Sequence, residues 1–187
     1  MGLWVLQSAC RQLALWETKP YTANLTLAVN VSVRQFRQST FVDQVLSALD
    51  ETGADPRKLK LEMTESLVLD DVEDVIAKMT MLKARGVGCS LDDFGTGYSS
   101  LSCLKRLPLS QVKIDRTFVR DVLDDPNDAA VIRTIVALAD SMGLNVIAEG
   151  VEIGGQQEFL ARNGCFAYQG YLYGKPLPLD EFEATLR

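Results

Sequence analysis

Apolar positions along this chain recur at two alternating spacings, and that alternation sets its architecture. Leu3, Leu6, Cys10 and Leu13, with Val5 and Ala9 beside them, repeat at helical spacing and predict an opening helix. No cap precedes it, which implies that the chain starts inside a βα unit. After Lys19-Pro20 a nearly continuous apolar run over 25–32 predicts a strand covered on both faces. Ser39-Thr40 then open a helix to about 51, with Gly53 after its end. A strand over 59–65 ends in acids, and a helix over about 71–84 is stopped by Gly86. The same rhythm predicts a strand at 89–92, a short helix at 101–106, a strand at 111–115 and a long helix at 128–142 closed by Gly143. A strand at 145–149, a helix near 156–162, a last strand at 166–169 and an acidic amphipathic segment at 180–186 complete it.

Six strands, each followed by a helix or helical turn, require a parallel sheet with right-handed crossovers. An open doubly wound sheet and a (β/α)8 barrel both satisfy that rule. No GxGxxG follows the first strand, and polar residues stand at almost every strand end: Asn30, Glu62, Asp92, Lys113, Glu149 and Gln169. A barrel brings all such ends to one mouth, whereas an open sheet uses only those near its switch point. The expected fold is therefore α/β, a TIM-like (β/α)8 barrel, incomplete here with about six βα units in a single domain over 1–187.

Composition narrows the chemistry. The 187 residues carry a net charge of −6 and no run of Lys or Arg, which argues against a duplex nucleic acid surface. No apolar run is long enough to cross a bilayer and no secretory leader pattern is present, so a cytoplasmic location is expected. The four cysteines are scattered without a CxxC pair and read as buried small hydrophobes. The complete absence of histidine excludes His-based triads and HExxH proteases. General base work falls to carboxylate, lysine or metal-bound water.

The stretch Gly88-Cys89-Ser90-Leu91-Asp92-Asp93-Phe94-Gly95-Thr96-Gly97-Tyr98-Ser99-Ser100 concentrates that chemistry. Two carboxylates a few ångströms apart repel by roughly 4 kcal/mol at an effective dielectric near 20, so a proton, a cation or a metal must sit between them. A single Asp there would serve as a cap; two ask for more. Six polar strand ends in register, mostly oxygen donors, point to one or two hard divalent cations.

The segments Asn30-Val31-Ser32, Glu62-Met63-Thr64-Glu65-Ser66, Asp92-Asp93-Phe94-Gly95-Thr96-Gly97-Tyr98-Ser99-Ser100-Leu101, Lys113-Ile114-Asp115, Glu149-Gly150-Val151-Glu152 and Gln169-Gly170-Tyr171-Leu172-Tyr173-Gly174-Lys175-Pro176 resemble the successive motifs of the EAL family, the cyclic di-GMP phosphodiesterases of bacterial signalling. The resemblance implies a modified TIM barrel that hydrolyses cyclic di-GMP to linear pGpG with Mg²⁺ or Mn²⁺, Ca²⁺ being inhibitory. It implies metal ligands at Asn30, Glu62, Asp92, Asp93 and Glu149, and catalytic roles for Asp93, Lys113, Glu149 and Gln169. Glu65 and Glu152 match supporting residues, and Phe94, Gly95, Thr96 and Gly97 match a substrate-side loop that Glu65 governs. The two glycines allow that loop conformations closed to other residues, as a mobile flap would require.

One departure stands out. The Glu-Ala-Leu segment that names the family, whose glutamate is a metal ligand, does not occur here. The resemblance then implies that the first two βα units are missing, activity is impaired, and the open Asn30 and Gln169 strand edges drive homo-oligomerisation. It also implies an upstream sensory or GGDEF-type domain in the full-length protein. The alternative is a catalytically inactive module that binds cyclic di-GMP and passes the signal on. A Schiff-base lysine at Lys113 would leave the carboxylates without a role. Asp93-Phe94-Gly95 lacks the other kinase signatures, and no GK[ST] follows the glycine loop as a P-loop would need.

Overall fold

The computed structural model describes residues 2–69, 71–97 and 101–186. They gather into two compact units, one comprising 2–63, 71–89 and 176–186 and the other 64–69, 90–97 and 101–175.

The first unit opens with α1 (Gly2–Glu17), whose buried face is Leu6, Ala9, Cys10, Leu13 and Trp16. Of the stripe expected from the sequence, Leu6, Ala9, Cys10 and Leu13 are buried and Trp16 extends it, whereas Leu3 and Val5 in the first turn are exposed. Strand β1 (Leu27–Asn30) is shorter at both ends than its apolar run and leads, through the capping serine Ser32, into the four-residue helix α2 (Val33–Phe36). Helix α3 (Phe41–Thr52) buries Phe41, Val42, Val45, Ala48 and Leu49. It stops where Gly53, at φ 70°, donates its N–H to Leu49 O at 2.9 Å. Strand β2 (Leu59–Thr64) pairs with β1 in parallel, placing Asn30 opposite Glu62. Leu59, Leu61 and Met63 are essentially inaccessible. Each such side chain contributes ~1.5–3 kcal/mol by leaving water. Helix α4 (Val72–Ala84) starts on Asp71, whose carboxylate accepts from Asp74 N. Its buried Lys78 is neutralised by Asp74 at 2.7 Å and donates to Phe36 O at 3.1 Å.

The second unit holds four strands paired in parallel and in chain order: β3 (Gly88–Phe94, from Ser90), β4 (Gln111–Ile114), β5 (Asn145–Ala148) and β6 (Ala167–Tyr168). All four residues of β4 are buried, as a strand covered on both faces demands. The connections are α5 (Leu101–Leu104), α6 (Arg116–Arg120) followed by α7 (Pro126–Ser141), and α8 (Gly154–Arg162). Helix α7 begins with Pro126 after the N-cap Asp125 and lays Ala129, Ile132, Ile135, Val136 and Ala139 on the strands. Helices α2 and α6 were not expected; four or five residues are too few to display a helical period.

The final helix, α9 (Leu179–Thr185), belongs to the first unit and is clasped to α1. Glu183 accepts hydrogen bonds from Gln12 Nε2 (3.3 Å), Trp16 Nε1 (2.9 Å) and Lys19 Nζ (2.7 Å), and Phe182 packs against the Trp16 ring.

Candidate active site

Strand β3 does more than end in two acids. Ser90 and Leu91 stand opposite Gln111 and Val112, but Phe94 stands opposite Ile114, so β3 carries one extra residue at Asp92-Asp93. The bulge puts Asp93 at φ 54°, a left-handed conformation that Asp adopts more readily than most residues. Asp93 N–H donates to Asp92 Oδ1 at 3.1 Å, while Thr96 returns its hydroxyl to Asp93 O at 2.8 Å. The strand thus continues two residues beyond the expected 92 and presents both carboxylates at one place.

Asp92, Asp93 and Glu149 offer oxygens within 4.8 Å of one another. Lys113, only 3 % exposed, reaches Glu149 Oε1 at 2.5 Å and Asp92 Oδ1 at 3.2 Å. Gln169 Nε2 donates to the same Glu149 oxygen at 2.7 Å. The strand ladder sets these distances: Glu149 N–H binds Ile114 O, and Gln169 N–H binds Ala148 O. Five of the residues expected at the site therefore converge in the second unit.

Asp115 joins them, although only its lysine neighbour was singled out from the sequence. Its carboxyl hydrogen-bonds Asp93 and accepts from both Thr117 N–H (2.8 Å) and the Thr117 hydroxyl. The available signal was parity, since residues 113 and 115 lie on one face of an extended chain. Burial pushes the Asp93 carboxyl above its ordinary range, the hydrogen bond with Asp115 and the charge of Asp92 add to this, and Lys113 opposes it. Asp115 is held below the usual range: burial works the other way, but the two donations from Thr117 outweigh it.

Glu65 is buried in the 3₁₀ turn Glu65–Leu69 and accepts from Gly97 N–H at 3.1 Å. A Cβ on Gly97 would fall 2.8 Å from the Glu65 carboxyl carbon, so the loop approaches Glu65 this closely only with glycine there. Phe94 is buried and Gly95, at φ 100°, sits against Phe118 and Ile135. The end of that motif, Tyr98-Ser99-Ser100, lies outside the described residues, and with it that end of the expected flap. Glu152 is exposed and stands outside the carboxylate cluster. Asn30 and Glu62 are in the first unit, side by side on the β1–β2 ladder.

A trio of carboxylates this close repels by roughly 3–4 kcal/mol per pair at an effective dielectric near 20, and Lys113 neutralises only part of it. Oxygen donors, negative charge and partial burial fit a hard divalent cation.

The family model described as EAL domain matches residues 1–176. The chain belongs to the EAL domain family. MucR of Pseudomonas aeruginosa, described as a bifunctional diguanylate cyclase/cyclic di-GMP phosphodiesterase, is 46% identical over 186 residues, 100% of this chain but 27% of that protein. This EAL chain spans about a quarter of the length of the curated relatives it matches. Among solved structures, the PaMucR phosphodiesterase in complex with c-di-GMP superposes with a TM-score of 0.93 at 47% identity, over 97% of this chain and 73% of that one. Klebsiella pneumoniae BlrP1, solved with manganese and cy-diGMP, matches with a TM-score of 0.79 at 28% identity, over 91% and 44% of the two chains. The α/β fold is thus the TIM-barrel-like fold of EAL domains, with six parallel strands in this chain. No described helix is long and apolar enough to cross a membrane.

Proposed function

We propose that this EAL chain hydrolyses one phosphodiester bond of cyclic di-GMP to give linear pGpG, using water activated by Mg²⁺ or Mn²⁺. The observation that carries the reading is the Asp92, Asp93 and Glu149 cluster around the buried Lys113. A bound divalent cation supplies charge neutralisation and a more acidic water. Asp92, Asp93 and Glu149 hold it, and the motif resemblance gives the same ligand chemistry to Asn30 and Glu62. Lys113 directs its ammonium at the cluster, where it stabilises negative charge developing on the phosphate oxygens. Gln169 donates to one Glu149 oxygen and so orients its carboxylate. Asp115, hydrogen-bonded to Asp93, sets where the Asp93 carboxyl points. Ca²⁺, more loosely and variably coordinated than Mg²⁺, is the expected inhibitor.

The chain reads as belonging to one EAL-type domain, working in the cytoplasm beside a sensory or GGDEF-type domain and self-associating. A second reading is a module that binds cyclic di-GMP without cleaving it. Calorimetric titration with cyclic di-GMP in Mn²⁺ and then Ca²⁺, followed by chromatography for pGpG, separates the two. Product in Mn²⁺ supports the phosphodiesterase, binding without product supports the module, and absence of binding in either metal refutes both.

A further inference from the structure

Gln156 is a buried polar residue, 5 % exposed, that no motif discussed above includes. It sits in the first turn of α8, whose N-cap residue is Ile153. An isoleucine side chain has no acceptor, so the usual serine or aspartate cap is absent. Gln156 Oε1 makes the other half of a capping box, accepting from Ile153 N–H at 3.1 Å, and it also accepts from Glu152 N–H at 2.8 Å. The second acceptance is more than a cap needs. It holds the segment that follows Glu149, where Gly150 at φ 69° turns the chain close past the Arg116 Cβ. Gln156 Nε2 donates in turn to Arg120 O, the last residue of α6, at 3.2 Å. That helix begins at its N-cap Asp115, the partner of Asp93. A single amide thus ties the loop behind Glu149 to the helix behind Asp115.

We infer that Gln156 is a positioning residue for the acidic cluster, setting Glu149 against Asp92 and Asp93 through the backbone of 150–153. The inference rests on the reading of those three carboxylates as a cation site. Its alternative is a purely structural cap for α8, and the two differ in what re-capping the helix restores. Ile153 is exposed and extended, so Ile153→Ser supplies an ordinary cap without replacing the acceptor for Glu152 N–H.

The test is calorimetric titration of Mn²⁺ alone into the wild type, Glu149→Gln, Gln156→Met and Ile153→Ser/Gln156→Met, below the lowest melting temperature. Removing a group hydrogen-bonded directly to a metal ligand costs ~10 to 100-fold in affinity, and Gln156 acts one step further back, through the backbone, so the low end of that range applies. Gln156→Met is expected to weaken Mn²⁺ binding about tenfold, and the re-capped double variant to remain weakened although its helix is restored. If Gln156→Met does not fold, the double variant alone is read. Mn²⁺ affinity within twofold of wild type in either variant overturns the inference. A wild type that takes up no Mn²⁺, or Glu149→Gln binding like wild type, removes the cation-site reading itself and is thereby told apart.

Discussion

Lys113→Met removes the buried positive charge of the carboxylate cluster from the metal-free protein. The ammonium lies 2.5 Å from Glu149 and 3.2 Å from Asp92, with 4 % of its side chain exposed. At an effective dielectric near 20, those pairs are each worth roughly 5–7 kcal/mol of attraction, most of it offset by the cost of burying the charges. Removing one partner of a buried pair leaves the others uncompensated, at a cost of about 3–5 kcal/mol. For a chain of this length that is a fall in melting temperature of about 10 °C. Methionine keeps the length of the stem, so little of the loss comes from a cavity. Urea denaturation in EDTA measures the effect, and repetition with Mn²⁺ measures its cause. Divalent cation should recover more stability in Lys113→Met than in the wild type, because it also replaces the missing charge. A variant within about 1 kcal/mol of the wild type in EDTA would refute the view of Lys113 as the internal counter-ion.

Asp93→Asn should act in opposite directions on stability and on turnover. Because folding raises the Asp93 pKa, ionised Asp93 opposes folding. The penalty is absent below the ordinary carboxylate value of ~3.9 and grows as pH rises from there through the raised value. Metal-free Asp93→Asn should lose that part of the pH dependence and be the more stable protein at pH 7, while hydrolysis disappears; denaturation midpoints from pH 4 to 7 would check it. Gly170→Ala places a methyl inside the contact distance of the Val151 backbone, so Gln169 must shift away from Glu149. A loss of roughly 3 kcal/mol or more is expected, and a normal melting curve would contradict it. Burial pushes the Cys10 and Cys89 thiols up to about 11 and about 12. Mass-mapped alkylation of the native protein at pH 8 should find half-buried Cys103 first, and early labelling of Cys89 would count against the buried β3.

The sequence carried the strands well because a parallel sheet under helices writes itself as apolar runs ending in polar residues, and those ends named Asp92, Lys113, Glu149 and Gln169 directly. What it could not carry was geometry that breaks the period. The bulge at Asp92-Asp93 is invisible in the residue order, since one extra residue in a strand looks like a longer strand. Asp115 passed for ordinary motif because nothing local says that its carboxyl meets Asp93. The short α6 is held by the Asp115 N-cap and the buried Val119 rather than by any repeated stripe.

The extra residue in β3 also bears on how such a site can be transplanted. In a regular strand, neighbours point to opposite faces, so adjacent acids would be divided between the interior and the helix layer. Writing Asp-Asp into the matching strand of another barrel by substitution alone would deliver one carboxylate and misdirect the other. The pair is therefore inherited as a length change, and an engineer wishing to copy it must insert a residue before choosing one.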